Sequence, residues 1–220
     1  ARAAYEALTA DQKALVKHYD DLIKAEAEFA EIPPLTPVGP SKPSKPTEPT
    51  EPVTPAAPTF NDVTESDWYY DGVKYVSDKG LMNGTDDNQF SPSASTTRGM
   101  LMTVLARYAG EDTTGGATWY EKGMNWAKAK GVSDGTNPEV NITREQLVTM
   151  LYRYVGSPKA HGSLDSFSDA TSVSSYAVNA MQWAVANGIV NGSNGKLNPQ
   201  NNATRAQVAA ILMRFCEMSK

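Results

Sequence analysis

Apolar residues recur at helical spacing three times between Thr96 and the C-terminus. The runs are Leu101, Val104, Leu105 and Tyr108; then Leu147, Met150, Leu151 and Tyr154; then Val208, Ile211, Leu212 and Phe215. Each is an i, i+3, i+4, i+7 stripe, which predicts an amphipathic helix with one face to bury. Thr97, Thr143 and Thr204 stand at the N-cap positions of these helices, where a hydroxyl accepts from an orphan first-turn amide. Gln146 and Gln207 complete a capping box three residues later. The first helix has Gly99 and Met100 instead, which predicts a weaker start.

A shorter helix and a glycine-marked turn precede each stripe, so the chain from Phe60 onward reads as one unit written three times. The copies are "DWYYDGVKYVSDKGLMNG" with "TTRGMLMTVLARYAG", "TWYEKGMNWAKAKGVSDG" with "ITREQLVTMLYRYVG", and "SYAVNAMQWAVANGIVNG" with "ATRAQVAAILMRFCE". Gly80, Gly131 and Gly188 fall where a helix ends on a left-handed residue. Gly84, Gly135 and Gly192 mark a second sharp turn four residues on, and arginine follows that glycine by 14, 9 and 13 positions. The loops vary while the helices do not, as around a repeated scaffold. A single unit cannot bury its stripe alone, so three equivalent helices predict a three-helix bundle from which the short helices and loops project.

The N-terminal part has a different pattern. Residues 1–31 are rich in Ala, Glu, Lys and Leu, with a T-x-x-Q box at Thr9 to Gln12 and an apolar stripe of Ala14, Leu15, Tyr19 and Leu22. They predict a helical segment, and residue 1 opens in mid-pattern, as in a piece of a longer protein. Prolines then occupy every third position from 34 to 58. That period matches polyproline II and predicts a semi-rigid spacer of roughly 80 Å at ~3.1 Å per residue.

Composition narrows the function classes. The net charge of -5 divides into 6 basic and 9 acidic residues before Phe60, and 14 and 16 from there on. Neither part has the basic excess of a nucleic-acid binder. No run of about 18 apolar residues suggests a membrane span. Cys216 is alone, so no internal disulfide or CxxC metal site forms, and its place on an apolar helix face predicts core. No Ser/His/Asp grouping, HExxH or phosphate loop is visible, and His18 and His161 lie in different regions. The chain reads as non-catalytic, without cofactor or metal. "NGTDDNQF" and "SDGTNPE" suggest calcium-dependent docking, yet they lack calcium-loop spacing and read better as turns. Lateral assembly into a surface lattice is the other alternative.

One feature conflicts with local electrostatics. Arg98, Arg144 and Arg205 directly follow the capping threonines, at the positive end of each helix dipole, where a cation is disfavoured by roughly 0.3–1 kcal/mol.

Taken with the openings "FNDV" and "FSDA", the turns "GLMNG", "GVSDG" and "GIVNG", the loop strings "FSP" and "LNP" and the following "TR", the chain from Phe60 resembles three tandem S-layer homology modules. The resemblance covers about 160 of the 220 residues. It implies an all-α, pseudo-threefold trimer, a three-pronged spindle around a central three-helix bundle. The expected segments are a helical end of an upstream domain (1–32), a Pro-rich spacer (33–59) and repeats at 60–110, 111–158 and 159–220. The implied role is extracellular: non-covalent anchoring of upstream cargo to a Gram-positive cell wall. The implied ligand is a secondary cell-wall polysaccharide, linked to peptidoglycan and ending in a pyruvylated amino sugar, held in grooves between prongs.

A pyruvyl ketal is a carboxylate on a sugar, and helix N-termini bind anions. Arg98, Arg144 and Arg205 would add a fixed charge and a bidentate donor fork there. The other reading pairs each arginine with an aspartate such as Asp62 or Asp169, and the two can coexist. Trp68 and Trp119 would stack on sugar, with Tyr176 a smaller substitute; Tyr75, Trp126 and Trp183 read as core. Gly84, Gly135 and Gly192 would admit the ligand close to the backbone. The repeats are unequal: the first joins Asp62, Trp68 and Arg98, the second lacks the F-x-D opening and has Asp112, in the wrong context, as its nearest acidic candidate, and the third keeps Asp169 but loses the tryptophan. At most two working grooves are expected, with the third ranking lowest.

Overall fold

The computed structural model describes residues 60–86 and 88–218. The readings of the N-terminal helical segment and the proline-rich spacer lie outside these residues. Among the described residues six α-helices form in the order expected: α1 Tyr70–Asp78, α2 Arg98–Tyr108, α3 Glu121–Ala129, α4 Arg144–Tyr154, α5 Val178–Ala186 and α6 Arg205–Met218. Two short 3-10 turns, Ala170–Ser172 and Ser175–Ala177, lead into α5. Among the described residues β pairing is limited to isolated bridges, so the fold is all-α.

The caps behave as their side chains dictate. Thr143 accepts from Gln146 N, and Gln146 returns its side chain to the Thr143 amide. Thr204 and Gln207 make the same exchange. Thr97 accepts from Met100 N at 3.3 Å, but Met100 has nothing to return. Gly99, which also departs from the pattern, has a packing reason: a Cβ there would sit 2.9 Å from the Pro138 carbonyl oxygen.

The long helices α2, α4 and α6 bury the predicted stripes; Leu101, Leu105, Leu147, Leu151, Val208, Leu212 and Phe215 are all inaccessible. Near their C-terminal ends Tyr108, Tyr154 and Phe215 meet as a mutual triad, with centroids 5.7, 5.8 and 6.0 Å apart. At the opposite end the cap segments close a ring of backbone hydrogen bonds. Thr96 N donates to Ala203 O, Ala203 N to Ile142 O, and Ile142 N to Thr96 O, each at 2.9 Å.

The short helices do not pack on the long helix of their own repeat. α3 lies on α2, α5 on α4, and α1 on α6. The close approach is made by Gly72, where a Cβ would be 2.8 Å from Ala210 Cα, and by Gly123, where it would be 2.6 Å from Thr103 Cα. Every repeat therefore lends its short helix to another repeat's long one, and the first closes back on the third. Trp183 and Cys216 are buried in the resulting core. Tyr75 and Trp126 are half-buried against it.

Candidate functional site

The arginines at the helix starts find their partners in neighbouring loops. The Nε of Arg98 donates to Thr136 O at 3.0 Å, that of Arg144 to Leu197 O at 2.8 Å, and that of Arg205 to Phe90 O at 2.7 Å. These three acceptors occupy the same place in successive loops, and each belongs to a different repeat from its arginine. The backbone follows the same route. The amides of Arg98, Arg144 and Arg205 donate to Val140, Asn201 and Ala94 carbonyls, and the next residues' amides to Pro138, Pro199 and Pro92. With the threonine caps, three of the four orphan amides of α2 are spent inside the protein, and with the returning Gln146 and Gln207 side chains all four of α4 and of α6. The local fault of a cation on a positive helix end is thus offset by several carbonyl oxygens brought from another repeat.

The aspartates hold the other side of the same loops. Asp62 accepts from Phe90 N at 2.8 Å and Ser91 N at 2.7 Å, and Asp169 from Leu197 N and Asn198 N at 2.8 and 2.7 Å. Phe90 and Leu197 are therefore gripped at N–H by an aspartate and at C=O by an arginine. Aspartate and arginine act through one residue of the loop rather than as the direct ion pair of the alternative reading. Burial pulls the Arg144 and Arg205 guanidinium pKa values down, opposed by the charges of Asp169 and Asp62 respectively. Burial also acts to raise the Asp169 pKa, but the amides of Leu197 and Asn198 outweigh it and the carboxyl lies below its ordinary value.

In the second repeat the acid is not Asp112, which turns to Thr114 and Lys122. Asp134, hidden in the turn string "SDGTNPE", takes the part. It accepts from Thr136 N at 2.9 Å and pairs with Arg98 Nη2 at 2.7 Å. The Thr136 amide, helped by Arg98, holds its carboxyl below the usual range.

Two clefts open between these elements. The first, of about 460 Å³, is lined by Trp68 from the first repeat, Arg144 from the second, and Asn191, Gly192, Gln207 and Arg214 from the third. The second, of about 230 Å³, is lined by Arg98, Asp134, Gln146, Arg153 and Tyr176, the corresponding positions of other repeats. The side chains at the aromatic position are exposed, at 65% for Trp68, 54% for Trp119 and 52% for Tyr176, which rules out core packing for them.

Trp68, Arg144 and Gly192 thus come together, and so do Arg98 and Tyr176, while the grouping of Trp68 with Arg98 suggested by their shared repeat does not form. Arg205, Asp62 and Gly84 gather instead around the first loop. There Arg205 is buried, donates to Asn83 O at 2.7 Å as well as to Phe90 O, and lies 4.5 Å from the Phe90 ring centroid. A Cβ at Gly84 would press on Gln89 O and the Phe60 ring. Trp119 packs edge-on against Tyr120 and lines neither cleft, and Gly135 lies against Met124 and Lys128. Gln146, Gln207, Arg153 and Arg214 are cleft residues that the sequence reading passed over. The arginines carried a signal, since each long helix has a second one nine positions after the first. Nine residues turn an ideal helix by about 180° beyond whole turns, so periodicity gives no reason to pair them.

The family model for the S-layer homology domain matches residues 59–99 and 166–209. Relatives include an amylopullulanase from Thermoanaerobacterium thermosulfurigenes, 32% identical over 180 residues, covering 73% of this chain and 10% of the relative. An exoglucanase, XynX, from Acetivibrio thermocellus is 31% identical over 182 residues (73% and 16%). A surface-layer 125 kDa protein from Lysinibacillus sphaericus is 27% identical over 162 residues (72% and 10%). The chain spans less than a fifth of the length of these relatives, so the similarity concerns this segment and not the catalytic action their names describe. With the family model matched at residues 59–99 and 166–209, the chain carries S-layer homology domain sequence in its first and third repeats and is a cell-surface region.

Proposed function

We propose that this region anchors an exported protein to the bacterial cell envelope by binding an anionic secondary cell-wall polysaccharide, with a pyruvylated amino sugar seated in the first cleft. The observation that carries this reading is the charge of that cleft. Arg144 and Arg214 line it with no acidic side chain opposite, in a chain whose net charge is -5. The Nε of Arg144 is spent on Leu197 O, and its Nη nitrogens make no hydrogen bond among the described residues. Charge-assisted donors of this kind suit a carboxylate, and the exposed Trp68 ring offers a face on which the sugar's apolar side can stack. A segment shared by two glycan-degrading enzymes and a surface-layer protein is one that locates its cargo. Here the cargo would precede the proline-rich spacer at 33–59.

The same reading takes repeats 60–110, 111–158 and 159–220 as a pseudo-threefold spindle. The closed ring of cap hydrogen bonds and the Tyr108, Tyr154 and Phe215 triad support it. Calcium docking finds less support, because Asp134 Oδ1 is held by Arg98 Nη2 and Thr136 N and the adjacent guanidinium repels a cation.

Retention on purified sacculi, before and after removal of the non-peptidoglycan polymer, tests the proposal. Binding should be lost on stripping, and Arg144→Ala should reduce retention tenfold or more. Retention that survives stripping would assign the ligand to peptidoglycan and sink the reading.

A further inference from the structure

The two clefts use equivalent positions yet differ in charge through one residue, because Asp134 stands where the first cleft has Asn191. Arg98 is matched within the protein: its Nη2 lies 2.7 Å from Asp134 Oδ1 and 3.2 Å from Ser133 Oγ, and its Nε donates to Thr136 O. A ligand carboxylate entering here would trade one charge-assisted bond for another and would face the displaced Asp134. At the Arg98 position the second cleft therefore disfavours an anion relative to the first.

An uncharged sugar meets no such conflict. Its hydroxyls both donate and accept, and the cleft supplies both functions. Asp134, with its side chain 64% exposed, has Oδ2 free of the bonds that Oδ1 makes to Arg98 and Thr136. Arg153 is exposed and lies in the cleft, and Gln146 has only its Oε1 engaged, by the Thr143 amide. The aromatic wall is held in place, since Tyr176 donates its hydroxyl to the buried Glu145 at 2.8 Å, and Glu145 also accepts from Ser174 N and Ser174 Oγ. A ring fixed before binding costs less to order when a sugar stacks on it. At about 230 Å³ against about 460 Å³ the cleft has half the room of the first. That is below the roughly 300–1,000 Å³ of ordinary ligand pockets and suits a single ring.

We propose that the second cleft binds one uncharged sugar residue, with Asp134 as the acceptor that sets its specificity, while the first cleft takes the anionic residue. The choice of a glycan as ligand rests on the anchoring reading. Two clefts of different preference would hold one polymer at two residues and raise its effective affinity without further contacts.

The test is an NMR titration of the 220-residue chain with methyl N-acetyl-β-glucosaminide and, separately, with the 4,6-pyruvyl ketal of the same glycoside. The neutral glycoside should move the Asp134 amide and Tyr176 ring resonances saturably. Asp134→Asn should weaken that response tenfold or more while leaving the Trp68 indole response to the ketal unchanged. The proposal is overturned if the neutral glycoside leaves Asp134 and Tyr176 unmoved. It is equally overturned if Asp134→Asn tightens ketal binding in this cleft, since Asp134 would then merely mask an anion site. The anchoring reading fails separately, when the ketal leaves Trp68 unmoved, and the neutral arm still decides the second cleft.

Discussion

Replacing Arg205 by alanine should damage the fold, although the equivalent changes at Arg98 and Arg144 should mainly damage binding. Arg205 is 6% exposed and donates to Phe90 O and Asn83 O, each at 2.7 Å, with its guanidinium against the Phe90 ring. Hydrogen bonds from a charged donor contribute roughly 1.5–3 kcal/mol each, and a desolvated cation over an aromatic ring roughly 0.5–2 kcal/mol. These do not add in full, because one side chain makes all three and water refills part of the space. A net loss of about 3–5 kcal/mol remains, and for a domain of this size that lowers the melting temperature by about 10 °C. Arg98 differs in kind. Its ionic partner Asp134 is 64% exposed, a setting in which an ion pair is worth about 0–1 kcal/mol. Thermal unfolding followed by circular dichroism, with wall retention measured on the same samples, separates the two. An Arg205→Ala protein that melts within about 2 °C of the parent but no longer binds walls would show that Arg205 is a ligand residue, and the structural argument for it would be wrong.

Two further outcomes test the packing and the electrostatics. Gly123→Ala places a Cβ 2.6 Å from Thr103 Cα at the α3–α2 crossing. This should cost about 1–3 kcal/mol of unfolding free energy in denaturant titration, and an unchanged midpoint would mean that the helices can part freely there. Burial, with the hydrogen bond to Glu145, pushes the Tyr176 phenol up to about 12. Its folded pKa exceeds the unfolded value of about 10, so its contribution to stability is full below about pH 10 and is lost as pH rises toward 12. Ultraviolet titration of the phenolate should show the late ionisation, and Glu145→Gln should bring it earlier; no change would mean that Glu145 does not hold the hydroxyl.

Much of the local structure was legible. Helix starts could be read from Thr97, Thr143 and Thr204, their unequal strength from Gln146, Gln207 and Met100, and helix ends from Gly80, Gly131 and Gly188, whose φ values of 63°, 69° and 68° are left-handed. These signals are local, since a cap or a C-terminal glycine acts within one turn. The exposed aromatics, the arginines and Asp169 were also singled out, because repetition made each visible three times or in a shared string. Asp134 escaped because a turn aspartate usually serves its own turn, and this one does so too, through the Thr136 amide, before reaching Arg98.

What the sequence alone determined, then, is the helical period, the caps, the stripes and the threefold repetition, all of which follow from interactions within a few residues. Which repeat completes which site was decided only in three dimensions. Arg98 meets a loop 38 residues ahead, Arg144 one 53 ahead and Arg205 one 115 behind. No local spacing encodes that exchange. It arises because each short helix buries its close-packing face on another repeat's long helix, and the ring can close only by returning the first repeat to the third. Trp68 and Arg144 therefore share a cleft, and the arginine that seemed misplaced on its own helix is matched by carbonyls from the next repeat.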